Sequence, residues 1–135
     1  MFTTIIEPRF GDVDGLGHIN NTLLPIWFEQ ARTPIFRIFH PDLNLDLKKW
    51  HLIMVHIDVD FLKQIRFGAD IEIRSYVFNI GNTSFTLLQE AWQNGKRCAS
   101  GKSVSVHYDC INKKSLRIPD DIRAKLSEHL VEEKD

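Results

Sequence analysis

Residues 22–40 place the tightest constraint on the fold. Leu24, Trp27, Phe28, Ala31 and Ile35, followed by Ile38 or Phe39, recur at helical spacing. The apolar stripe is wide, so the helix is expected to be buried on most sides. Asn20, Asn21 and Thr22 ahead of it are good N-cap types. Pro25 falls in the first turn, where its missing N–H costs little. Pro34 lies in the interior and predicts a kink or a split.

After a polar connection over 40–50 the period changes to two. Ile53, Val55, Ile57, Val59 and Phe61 alternate with Met54, His56, Asp58 and Asp60, which predicts a half-buried strand. Residues 71–80, 83–93 and 96–108 are rich in β-formers. Gly68-Ala69-Asp70, Gly81-Asn82 and Asn94-Gly95 separate them, the last a strong two-residue hairpin signal. Thr3 to Arg9 suits a first strand. Pro119-Asp120-Asp121 opens a second helix, with Pro at its first position and Ile122, Leu126 and Leu130 on one narrow apolar face. A sheet that follows a buried helix should wrap it, which makes an α+β layer architecture. The 135 residues leave room for one core, so 1–135 is read as a single domain.

Seventeen Lys and Arg against eighteen Asp and Glu leave a net charge of −1. No global positive field draws the chain to nucleic acid or to an anionic membrane. No apolar run is long enough to span a bilayer, and the N-terminus lacks the pattern of a secretory signal. Cys98 and Cys110 are too few for a disulfide framework, so free thiols in a reducing, cytoplasmic setting are expected.

Between the first strand and the helix lie three glycines in seven residues, 11–17, flanking Asp12 and Asp14. The stretch Asp12-Val13-Asp14-Gly15-Leu16-Gly17-His18-Ile19-Asn20-Asn21 resembles the signature loop of the hotdog-fold thioesterases. The particular group is that of 4-hydroxybenzoyl-CoA thioesterase and bacterial acyl-CoA thioester hydrolases. Gln30-Ala31-Arg32, Phe67-Gly68-Ala69-Asp70 and Ile80-Gly81-Asn82-Thr83-Ser84 extend the likeness over roughly residues 3–125.

The resemblance implies a curved antiparallel five-stranded sheet around one long helix, with a short C-terminal helix. It implies a homo-oligomer, dimer or tetramer, whose sheets pair edge to edge and whose sites lie at the subunit interface. It also implies hydrolysis of an acyl-CoA thioester, with no metal and no cofactor. Asp14 matches the family's catalytic carboxylate. His18 is the second catalytic candidate, and Gly17, Asn20, Asn21, Trp27 and Ser84 are the substrate-binding ones. Leu16 stands where plant-type acyl-ACP thioesterases carry Asn, and Leu24 where many relatives carry Tyr.

The chemistry is coherent. A thiolate leaves readily, so one carboxylate, a water and an oxyanion site can suffice. The Gly17–Asn21 backbone at the helix start would supply N–H donors, aided by the helix dipole. Competing readings are Asp12 as a loop-ordering residue, Asn20 or Asn21 as a helix cap, and Glu29 as an alternative carboxylate on the helix. His56, Asp58 and Asp60 share one strand face; they are read as polar surface, with metal binding the rival. Coenzyme A carries phosphates, so Lys63, Arg66, Arg74, Lys96, Arg97, Lys102, Lys113 and Lys114 are candidate partners. An acyl-ACP thioesterase and a non-catalytic acyl-CoA or acyl-ACP binding module are the alternative functions.

Overall fold

The computed structural model describes residues 1–131; the last four residues of the expected domain lie outside them. A five-stranded antiparallel sheet curls around a broken helix. In chain order the elements are β1 (Phe2–Ile6), a 3-10 turn (Phe10–Asp12), α1 (Leu23–Ala31), α2 (Thr33–Phe39), β2 (Leu52–Phe61), β3 (Ile71–Ile80), β4 (Ser84–Gln93), β5 (Lys96–Asp109), a two-residue β6 (Lys114–Ser115) and α3 (Asp120–Ser127). The strands run β1-β3-β4-β5-β2 across the sheet, with β6 paired to β5. This is the α+β hotdog architecture.

Pro34 splits the helix as its position requires. It sits in the first turn of α2, where no N–H is needed, and Arg32 is the junction between the two pieces. Asn94 and Gly95 both take positive φ, 53° and 75°, and turn β4 tightly into β5. Pro119 stands at the N-cap of α3, one place earlier than expected. Leu126 is fully buried from that helix, while Leu130 lies beyond its end, in a bridge with Val77.

Two expectations need correction. The helix is not covered on most sides within one chain: Ile26, Glu29 and Gln30 are exposed, because the sheet meets only the face carrying Leu24, Trp27, Phe28 and Ala31. β2 is not half-buried either. It is the last strand of the sheet, its outer edge is unpaired among the described residues, and most of it is exposed. A bulge at Val55 also shifts its phase. Met54 lies opposite Ser105 before the bulge, and Ile57 opposite Ser103 after it. Met54 and Ile57 therefore share the inner face, and Ile53 turns outward with His56, Asp58 and Asp60.

The core has two apolar clusters. Leu24, Trp27, Phe28, Ile73 and Ala99 belong to one; Ile35, Phe39, Val77, Phe85 and Leu126 belong to the other. A buried polar network stands at the helix break. Arg32 Nη1 donates to Gln89 Oε1 at 3.1 Å, and Gln89 Nε2 donates to Phe28 O and Ser75 Oγ at 2.9 and 3.0 Å.

Candidate active site

The loop leading to α1 is closed by its own backbone. Asp14 N–H donates to His18 O at 2.8 Å, Gly17 N–H donates to Asp14 O at 3.2 Å, and Val13 bridges Ile19. Gly17 takes a φ of +75°, a conformation costly for any residue with a Cβ. Ile19 N–H donates to Ile65 O, and His18 bridges Arg66, so the loop is fastened to the segment that follows β2.

Asp14 Oδ1 accepts the Leu16 N–H at 2.9 Å. That bond orients the carboxylate, and Oδ2 has no hydrogen bond among the described residues. Asp14 and His18 line one cavity of about 450 Å³, together with Asn21 just ahead of α1, Leu24 in its first turn, Phe61 at the end of β2 and Lys63 just beyond it. The His18 ring has no hydrogen bond among the described residues.

The expected oxyanion donors narrow in the structure. Gly17, Ile19 and Asn20 spend their N–H groups on Asp14, Ile65 and Asp12 carbonyls. His18 and Asn21 keep theirs without an acceptor among the described residues. Asn20 does not cap α1 as expected: its Oδ1 accepts from Thr22 N–H at 2.9 Å and from Thr22 Oγ at 2.8 Å, closing a turn ahead of the helix, whose N-cap position is Thr22 with no side-chain cap bond. Gly17 acts through the turn and does not itself line the cavity.

Trp27 and Ser84 do not join this group. Trp27 faces the β1 side of α1, in a depression shared with Ile6 and Leu23. Ser84 lies in the row of Val106 and Ile53, whereas Phe61 lies in the row of Ala99 and Ala91. Seven residues of β4 separate the rows, about 23 Å at roughly 3.3 Å per residue.

The other candidates sort by geometry. Asp12 is buried, accepts the Arg9 N–H at 2.8 Å and pairs with the Arg9 guanidinium at 3.0 Å, which holds its carboxyl below the usual range. It orders the loop. Glu29 lines a different groove, beside Arg32. His56 Nε2 and Asp58 Oδ2 form an exposed pair at 2.9 Å. Among the described residues no three His, Cys, Asp or Glu are grouped to hold a metal ion. Arg74 and Arg97 are engaged by Glu72 and Glu90, and Lys102 lies over the Phe78 ring. Lys63 and Arg66 stand beside the cavity. Cys98 and Cys110 are free thiols. No helix among the described residues is long and apolar enough to cross a membrane.

The Arg32–Gln89–Ser75 network has little local signature in the sequence. One signal existed: Arg32 falls four residues after Phe28, on the buried stripe.

Fold and loop together define a hotdog protein of the thioesterase type, and the comparisons agree. The chain belongs to the thioesterase-like superfamily, whose model matches residues 8–126. It is similar to a predicted thioesterase from Bacillus stearothermophilus, at 44% identity and a TM-score of 0.92, covering 98% of each chain. It also resembles a thioesterase from Thermus thermophilus complexed with coenzyme A and Zn, at 26% identity and a TM-score of 0.79, covering 93% of this chain and 96% of that one. The uncharacterized protein YsmA of Bacillus subtilis (strain 168) is 26% identical over 129 residues, 93% of this chain and 84% of the relative. Thioester hydrolysis is the chemistry this membership supports.

Proposed function

We propose that this protein hydrolyses acyl-CoA thioesters, with Asp14 as general base or nucleophile. The observation that carries the reading is the state of the Asp14 carboxylate. One oxygen is fixed by Leu16 N–H, the other is unpaired among the described residues, and the group shares a cavity with His18 and the start of α1. The N–H groups of His18 and Asn21 receive the developing oxyanion, and the positive end of the α1 dipole assists. Asp14 either deprotonates a water that attacks the carbonyl, or attacks it directly to form an acyl–Asp14 anhydride that water then cleaves to the free acid; in both routes the C–S bond breaks and the thiolate departs and takes up a proton. His18 contacts the substrate or the attacking water.

Coenzyme A is the carrier. Lys63 in the cavity wall and Arg66 beside His18 fit its phosphates, and the Thermus thermophilus relative is described with coenzyme A bound. The assembly is a homodimer or homotetramer joined through β2. That edge exposes Met54, Val55, Ile57 and Phe61, and a second copy there would border the Asp14 cavity through Phe61.

Thiol release from a panel of acyl-CoAs tests the activity. Turnover with release of free CoA is expected. Tight binding of acyl-CoA without thiol release would instead make the protein a binding module, and turnover of acyl-ACP alone would move the carrier.

A further inference from the structure

A groove of about 350 Å³ opens between the broken helix and β2, apart from the Asp14 cavity. Its walls are mainly apolar, and Glu29 and Arg32 are the two charged residues among them. Ile26, Met54 and Ile57 on its rim are 57%, 39% and 49% exposed, so bare apolar surface surrounds the two charges.

Each charge is left incomplete by its own chain. Arg32 is 6% exposed, yet its only hydrogen bond among the described residues goes to the neutral Gln89 Oε1. No described carboxylate lies within ion-pair distance of it; Glu29, on the preceding turn, attracts it only at longer range. The Glu29 side chain is exposed and has no ion pair among the described residues. A nearly buried guanidinium without an anion is costly, so the groove calls for a carboxylate that the single chain does not bring to it.

We propose that a second copy of the chain completes this groove, with Glu29 of each protomer paired to the partner's Arg32 across a twofold axis beside β2. This rests on the assembly through β2 put forward above. The middle of Leu52–Phe61 falls between His56 and Ile57, and Ile57 borders the groove. Antiparallel pairing of two such edges sets the axis near the middle of the strand, so each groove faces its copy. Glu29 and Arg32 are three residues apart, about 4.5 Å along one helix face at 1.5 Å per residue. The twofold reverses their order on the partner, which sets each carboxylate against a guanidinium. Each Arg32 then donates to a carboxylate, the four charges sum to zero, and the apolar rim keeps water from them. The same residues in a monomer leave one buried cation without an anion and one anion in solvent.

The test mixes two variants. Glu29→Lys sets like charges against each other in both reciprocal contacts, and Arg32→Glu does the same. Each alone should self-associate at least about tenfold more weakly than the wild type in sedimentation. Mixed in equal amounts, the two restore opposite charges in both contacts, so native mass spectrometry should find the heterodimer well above its statistical share. Arg32→Gln, whose amide can still donate to Gln89, takes the place of Arg32→Glu should that variant not fold. With Glu29→Lys it leaves one intact pair and no repulsion, and the heterodimer should again exceed both homodimers. Undiminished self-association of Glu29→Lys, or a mixture with no excess of heterodimer, would overturn the reciprocal pair while leaving assembly through β2 standing. A wild type that stays monomeric would overturn both, and thiol release from acyl-CoA reports on the thioesterase reading separately.

Discussion

Phe28 and Gly101 meet across the seam between helix and sheet: a Cβ placed on Gly101 would stand 3.3 Å from the Phe28 ring. The same Cβ would lie 2.2 Å from the Asp58 carbonyl oxygen, a backbone atom of β2. This glycine lets the helix and the edge strand close on β5 together.

Gly101→Ala should therefore displace β2 and loosen Phe28. Overpacking of this kind costs about 1–3 kcal/mol, and the rigid backbone obstacle puts the expectation at the upper end. Chemical denaturation should show a lowered midpoint. An unchanged midpoint would contradict the close packing of β2 on β5.

The sequence was informative wherever one local rule governed. Pro34 marks the helix break, Asn94-Gly95 the hairpin, and the glycines of 11–17 the tight loop that borders the Asp14 cavity. It was misleading where the answer depended on neighbours. The alternation over 53–61 suggested burial on one face, but the strand order puts β2 at the edge, and the Val55 bulge reverses the direction of Ile53. Ser84 lies in a turn that resembles the family's, and Trp27 is an expected lining residue, yet strand register and helix phase carry both away from Asp14. Arg32 stands in the sequence as part of a motif. Its buried bond to Gln89 arises where the helix break meets strands distant in sequence, which no local window contains.

Acid should weaken the far end of the barrel. His40 Nε2 accepts the His51 N–H at 3.1 Å, and its ring stacks on Trp50 at 4.6 Å. His107 Nδ1 donates to Arg117 O at 3.2 Å. Burial, then the nearby histidines, push His40 below 6.5; burial chiefly does the same to His107. The unfolded chain thus takes up protons first as pH falls. This stability is complete above 6.5 and is lost as pH falls through the lower folded values. The Tm should drop by roughly a few degrees between neutral pH and about pH 5. His40→Gln, whose amide oxygen can still accept, should make that slope shallower. A flat Tm over this range would contradict the neutral histidine cluster.

The open edge of β2 should mediate self-association. Light scattering at micromolar concentration should give at least twice the 15.7 kDa chain mass. Val55→Lys puts a charge on the exposed bulge and should weaken association at least about tenfold, with activity falling as protomers separate. A wild-type monomer with full activity would contradict assembly through this edge.

The most direct measurement is the kcat of Asp14→Asn with an acyl-CoA that the wild type turns over. Asparagine keeps the size and can still accept the Leu16 N–H, but it is neither base nor nucleophile. Loss of a general base costs about 10²–10⁴ in rate, roughly 3–5.5 kcal/mol of barrier. The loss should appear in kcat, with substrate affinity and Tm nearly unchanged, because the carboxylate is exposed and the core is untouched. Glu29→Gln should be milder. A folded Asp14→Asn protein with near-normal kcat, or an inactive Glu29→Gln beside it, would place the chemistry elsewhere.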